Sequence, residues 1–495
     1  MPAFRLAAGR NAQTGAPGRT CAGALLALLL LPALSVAQDS STADQRARLL
    51  AEHAQRLEEL ATDCRREGLA DAAKSVSSWL PQREPATLYL FLPSERSRQA
   101  ERSQSDPPPD WQRRFDDLRE QQAQALFGLA TQAASGEQPW LAVELVSEAL
   151  REDPDHEAAR SVFGHQLVDG AWRTPFEMRM LRGGQIWHER YGWIDQDDLP
   201  RYESGLERIG TRWVAVDTAA QAHRDIRRGW QIRTEHYQVT TNHSLAEGAS
   251  LATRLEKLQS AFRIAFPRYP QDEPAMARLR GESARPANRR PHEVYHFRTR
   301  DQYNAALRPL QSRIDMTLGI YFDTMRRAYF FAGADAAAGT LYHEATHQLI
   351  QETRPTETNV ARRHNFWIVE GIAVYAESLI DHGRWWTLGG PNAARVPAAR
   401  HNLLAENFYV PLAELTQLGM HELQRHPHIA KLYSQAAGLV TFLMHYDDGR
   451  YRGALAEYLI AVYSGKDNAD TLATLTGVDY DQLDRQYREF MQQGL

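Results

Sequence analysis

The chain has 495 residues and is slightly acidic, with 57 Lys plus Arg against 62 Asp plus Glu and a formal net charge of −5. That balance argues against a nucleic-acid binder, which needs clustered positive charge, and the length predicts two or three domains rather than one core. Hydrophobic residues make up 43%, an ordinary value for a folded soluble protein, and no long apolar run follows the first 40 positions, so no internal membrane-spanning helix is expected.

Residues 1–37 read as a secretory signal. Arg5, Arg10 and Arg19 form a positive leader, the run "AGALLALLLLPALSVA" follows, and Ser35-Val36-Ala37 is a small-x-small cleavage pattern. The alternative is an uncleaved anchor, for which the run is short. The expected location is therefore secreted or periplasmic, with no stable membrane span after cleavage. Cys21 precedes the apolar run, so it does not suit lipidation, and it would be lost with the leader. Cys64 would then be alone, a packed helix residue rather than half of a disulfide or a reactive thiol.

Residues 38–80 are rich in Ala, Leu, Arg and Glu and predict helix as far as Pro81 and Pro85. The polar stretch 94–110, ending in three prolines, predicts an exposed linker. Helical spacing resumes over 112–135. Pro139 opens a second helix and Asp153-Pro154-Asp155 a third. The segment "WLAVELVSEALREDPDHEAARSVFGHQL" resembles a tetratricopeptide-type helix pair, with a generic helical hairpin as the alternative. Either form predicts a scaffold, and a possible docking surface for a protein partner, over 38–170. Residues 171–228 read as a small connecting module of short strands and turns. "GAWRTPFEMRMLRGG" and "GTRWVAVDTAAQAHRD" each set a Gly near a Trp, and Trp187 and Trp193 lie between them as core candidates.

From Gly229 the pattern becomes mixed. "WQIRTEHYQVTTN" alternates as a strand, "SLAEGASLATRLEKLQSAFRIAF" has helical spacing, and "EVYHFRT" is another strand. "GIYFDTMRRAYFFAG" predicts two short strands around a polar turn at Asp323-Thr324. Strands followed by helices make residues 229–495 an α+β domain.

The chemistry lies in "LYHEATHQLI". His343 and His347 stand four apart on a predicted helix, so both imidazoles share one face and can reach one tetrahedral zinc. Glu344, beside the first, is placed to act as general base. A catalytic zinc takes a third protein ligand. Downstream, "FWIVEGIAVYAE" buries Glu370 in an apolar helical stretch, where a carboxylate is costly unless paired or metal-bound.

These motifs resemble those of the gluzincin metallopeptidases, and "WIVEGIAVYAE" is similar to the W-x-x-E-G-x-A-x-Y-x-E signature of their aminopeptidase-like branch. The resemblance implies a zincin-like fold, Zn2+ held by His343, His347 and Glu370, Glu344 as general base, and a peptide or protein substrate. It also implies that Tyr433, in "YSQAAGLVTFL", precedes a helix and stabilises the oxyanion; a packed tyrosine is the other reading. Glu377, two turns after Glu370, could orient a ligand, bind a substrate amine or simply end the helix. His364 could touch the site or lie in a polar loop, and His421, His426 and His428 read as a solvated segment. The chain has no G-x-M-E-N-like amine anchor before the zinc helix. The hairpin could instead pair an extended substrate to its edge strand. The competing readings are a catalytically inactive peptidase-like scaffold and a zinc hydrolase of a non-peptide amide bond.

Overall fold

The computed structural model describes residues 41–495 except 94, 96, 98–107, 137, 268, 270–272, 284–289, 334–337, 394, 494 and 495. The leader expected over 1–37 and most of the linker expected over 94–110 lie outside the described residues. Ser41–Leu495 packs as one unit. The fold mixes helices with a central mixed sheet, as the α+β expectation requires. Among the described residues no helix is long and apolar enough to cross a membrane.

The N-terminal part is helical. Ser41 caps α1 (Thr42–Arg66) in a reciprocal capping box with Asp44, and α2 (Ala70–Ser77) follows. Their apolar faces meet Phe115 in a small separate core that includes Leu57, Leu60 and Cys64, with Cys64 1% exposed. Strand β1 (Thr87–Leu90) comes next, then α3 (Asp110–Ser135), α4 (Pro139–Glu152) and α5 (Glu157–Phe163). Leu141 to Leu150 of α4 are all buried, so this helix is enclosed on every side.

Enclosure creates an electrostatic demand, because Glu144, Glu148 and Glu152 recur on one buried face of α4. Arg46 of α1 meets it with 2.6 Å bonds to Glu144 and to Glu148. Arg83 donates to Glu148 at 2.9 Å, and Arg452 to Glu144 at 3.0 Å. One helix thus ties α1 to the C-terminal region.

The connecting module consists of hairpins alternating with helices. The hairpins are β2 (Gln166–Val168) with β3 (Ala171–Arg173), β4 (Gln185–His188) with β5 (Gly192–Asp195), and β6 (Leu206–Ile209) with β7 (Arg212–Ala215). After them come α6 (Pro175–Arg182), α7 (Leu199–Glu203) and α8 (Val216–Ala222). Trp172, Trp193 and Trp213 each occupy the second position of the returning strand, so one hairpin–helix unit occurs three times. Trp172 is buried and the other two are half-buried.

The main sheet has five strands in the order β11-β12-β10-β9-β8. These are β8 (Trp230–Arg233), β9 (Tyr237–Thr241), β10 (His292–Phe297), β11 (Ile320–Phe322) and β12 (Arg327–Phe331). Strand β10 runs parallel to β9 and β12, while β8 and β11 are antiparallel edges. The expected hairpin is thus present, and β11 is an edge strand. Helices α9 (Leu245–Ala265), α10 (Glu273–Leu279) and α11 (Arg300–Leu307) lie between the strands in sequence.

Beyond the sheet come α12 (Ala338–Thr353) and α13 (Phe366–Ala376), then β13 (Ile380–Asp381) and β14 (Trp386–Gly389). Strand β14 pairs with β1, about 300 residues earlier in the chain. Helices α14 (Val396–Leu404), α15 (Leu412–Leu415), α16 (Met420–Gln424), α17 (Ile429–His445), α18 (Arg452–Tyr463), α19 (Thr471–Thr476) and α20 (Tyr480–Gln492) complete the fold. A single large core gathers residues from Leu88 to Met491.

Candidate metal centre

Helix α12 buries Leu341, Ala345, Leu349 and Ile350, spaced to cover one side. His343, Glu344 and His347 occupy the less buried face. The partner helix α13 begins at Asn365, fully buried and left-handed at φ 61°. The Asn365 amide donates to Asp467 Oδ2 and to the Asn468 carbonyl, each at 2.8 Å, and accepts from the Tyr458 hydroxyl at 2.6 Å. Those bonds anchor the start of α13 to the C-terminal helices. Gly371 lets α13 approach α17 closely: a Cβ there would lie 3.0 Å from Val440 Cγ2 and 3.1 Å from the Ala436 carbonyl. The glycine following Glu370 is therefore a packing requirement, and the helix it admits carries Tyr433.

This packing brings His343, His347 and Glu370 together, with one donor atom of each within 4.8 Å of the others. His343 Nε2 lies 3.2 Å from His347 Nε2. Glu370 Oε2 lies 3.6 Å from the first and 3.9 Å from the second. Donors on a tetrahedral zinc, with bonds of about 2.0–2.1 Å, stand about 3.3–3.4 Å apart. The trio is within about half an ångström of that triangle, so these residues fit the ion. Their side chains are only 14%, 16% and 12% exposed, which leaves little water to compete with a ligand.

Outside this trio, Glu377 Oε1 accepts from His343 Nδ1 at 2.8 Å. That bond places the His343 proton on Nδ1 and leaves Nε2 as the donor that faces His347 and Glu370. The Arg395 guanidinium lies 3.9 Å from the same Glu377 oxygen.

The charges divide unevenly. Burial opposes a charged His343, but hydrogen bonds to Glu370 and Glu377, with the Glu344 charge, outweigh it and hold the imidazolium up at about 10. Burial drives His347 down to about 4 against the pull of Glu370. Burial also works against ionisation of Glu370, yet the His343 hydrogen bond and the nearby charges bring its carboxyl below the usual value. The carboxylates thus favour positive charge at this point, which a metal ion would supply in place of the second His343 proton.

Glu344 is held by the edge strand. Its Oε2 accepts from the Tyr321 backbone N–H at 2.9 Å. Burial pushes its carboxyl up to about 6, with His343 and the Tyr321 N–H opposing. A group in that range can take up and release a proton near neutral pH.

Tyr433 sits inside α17, four residues after its first residue, rather than ahead of the helix. Its neighbour by the site is Arg395, whose guanidinium carbon lies 5.7 Å from its ring centroid; burial and the Glu370 charge push its phenol well above the ordinary value, so it remains protonated and can donate. His364 bonds Asp467 at 2.9 Å and is absent from the donor cluster. His421 and His428 are exposed and His426 half-buried.

Three features of the site were missed by sequence reasoning. Gly319 packs beside Glu344, where a Cβ would lie 3.2 Å from Glu344 Cγ and 3.1 Å from the Phe330 ring; its place just before a predicted strand was the available signal. Buried Glu352 ties α12 to the sheet by accepting from His292 at 2.8 Å and from the Tyr321 hydroxyl at 3.1 Å; its position five residues after His347 was the only hint. Arg395 lies outside any motif and had no signal. No family model matches the chain, and no curated protein matches it.

Proposed function

We propose that this chain is a secreted or periplasmic zinc-dependent metallopeptidase, with a zincin-like domain over 229–495 preceded by a tetratricopeptide-like helical region and the tryptophan-bearing module. The observation that carries this reading is the triangle of His343 Nε2, His347 Nε2 and Glu370 Oε2 beside the buried carboxylate of Glu344. The mixed sheet with its antiparallel edge strand along the same helix supports the fold assignment.

In this mechanism His343, His347 and Glu370 hold Zn2+. The ion would polarise the scissile carbonyl and acidify water. Glu344 takes a proton from the attacking water and returns it to the leaving amine. The Tyr433 phenol donates to the oxyanion as the carbonyl becomes tetrahedral. Glu377 keeps His343 in the tautomer that presents Nε2 inward. Strand β11 lies at the sheet edge, where the positions beyond the Tyr321 N–H, itself bound to Glu344, offer backbone to an extended chain, a mode that favours unfolded or flexible substrates. Enclosure of α4 limits any partner-docking role to the outer helices of the N-terminal region.

The test is incubation of the zinc-loaded protein and its Glu344→Gln variant with unfolded proteins, read by mass spectrometry. Cleavage by the parent and none by the variant, at equal zinc content, supports the reading. Equal cleavage by both removes Glu344 from the mechanism.

A further inference from the structure

We infer that Arg395 forms a carboxylate-binding subsite beside the metal centre, so that preferred substrates carry a carboxylate, from a free C-terminus or an acidic side chain, next to the bond that is cut. The inference deepens the peptidase reading and rests on it.

The carboxylates around the centre already have partners. Glu370 faces the two histidines, Glu377 accepts from His343, and Glu344 accepts from Tyr321. Arg395 is the cation beside them and is far less committed. Its guanidinium carbon lies 5.7 Å above the Tyr433 ring, which orients the plane. Its contact with Glu377, 3.9 Å, is longer than a hydrogen bond. That Glu377 oxygen is the one bonded to His343. The side chain is 39% exposed, and among the described residues its guanidinium has no hydrogen bond.

An arginine used as a structural tie looks different in this protein. Arg46 makes three bonds of 2.6 to 3.1 Å to two buried glutamates. Arg395 instead has a planar fork of donors without a hydrogen bond among the described residues, 5.7 Å from the ring of the tyrosine assigned to the oxyanion. The ligand that satisfies such a fork in two parallel bonds is a carboxylate. Three carboxylates surround the site, and without Arg395 they would repel an anionic substrate.

The alternative is a positioning role, in which Arg395 steadies Glu377 and through it His343. The two roles separate in experiment. Zinc-loaded wild type, Arg395→Gln and Arg395→Lys are given a synthetic peptide library made twice, with C-terminal acids and with C-terminal amides. Each set contains Asp/Glu members and their Asn/Gln counterparts. Zinc content is measured for every protein. Binding of the same acid and amide peptides is also measured on the zinc-loaded Glu344→Gln protein, with and without Arg395→Gln.

The expected result is a preference of about tenfold or more for carboxylate-bearing peptides, in KM and in binding. The preference should be lost in Arg395→Gln at unchanged zinc content and partly kept in Arg395→Lys. Whether acid/amide or Asp/Asn pairs show it identifies the source of the carboxylate. Equal use of acids and amides by the wild type overturns the inference and leaves the peptidase reading standing. A uniform loss in Arg395→Gln, with lower zinc content, assigns the positioning role and also overturns it. Cleavage of no peptide by the wild type overturns the peptidase reading and this inference together.

Discussion

Tyr321 is bonded to helix α12 at both ends: its backbone N–H donates to Glu344 at 2.9 Å and its hydroxyl to Glu352 at 3.1 Å. The edge strand and the base are therefore one mechanical unit. Gly319 makes the approach possible, so Gly319→Val should displace Glu344 against the Phe330 wall. A shift of roughly 1 Å is expected to cost about 100-fold in turnover, with zinc content unchanged. Kinetics paired with metal analysis check this; wild-type turnover in the variant would show that the base is not held by this contact.

Removing the Glu377 carboxylate should loosen the metal rather than abolish the site. Glu377→Ala is expected to weaken zinc binding by about 10–100-fold. Competition with a chromophoric chelator reads the change directly, and an unchanged affinity would reduce Glu377 to a helix-end residue.

Gly371 provides a test in which two effects have opposite signs. Helix propensity alone predicts that Gly371→Ala gains about 1 kcal/mol. The Cβ would meet Val440 at 3.0 Å and the Ala436 carbonyl at 3.1 Å, and overpacking costs about 1–3 kcal/mol. A net loss of stability is expected in denaturant titration, together with weaker zinc binding as α13 is pushed from α17. A more stable variant would contradict the close-packed account.

The N-terminal helix should undock in acid. Burial raises the Glu148 carboxyl, but Arg46 and Arg83 outweigh it and hold it well below its ordinary value of 4.5. A depressed carboxyl stabilises the fold fully above that value, and the contribution is lost as pH falls toward the depressed one. Glu148→Gln should thus be less stable than wild type at pH 7, by about 3–5 kcal/mol for a broken buried pair. The gap should narrow as pH drops below 4.5. A gap independent of pH would show that the glutamate's charge does not matter.

Local features were legible in the sequence. The H-E-x-x-H helix, the helix carrying Glu370 and the hairpin before them follow from spacing within a dozen residues, and the structure places all three as expected. Long-range pairing was not legible: β1 is four residues long and meets β14, about 300 residues later in the chain. The burial of Glu144, Glu148 and Glu152 has no local signal: arginines from α1, α18 and the β1 approach neutralise the first two, and Arg151 the third. The threefold hairpin–helix unit was half visible. All three members set a Gly near a Trp, but only the first and last stand out by that pattern, and Trp193 reads only as a core candidate. The donor triangle itself depends on how α13 packs against α12 and α17, which no local period encodes.

The most direct test of the account is metal analysis of the purified full chain after zinc loading and dialysis. The account predicts about one zinc per chain, retained in Glu344→Gln and lost in His347→Ala and Glu370→Ala. No retained zinc in the wild type, or equal zinc in wild type and both ligand variants, would contradict it.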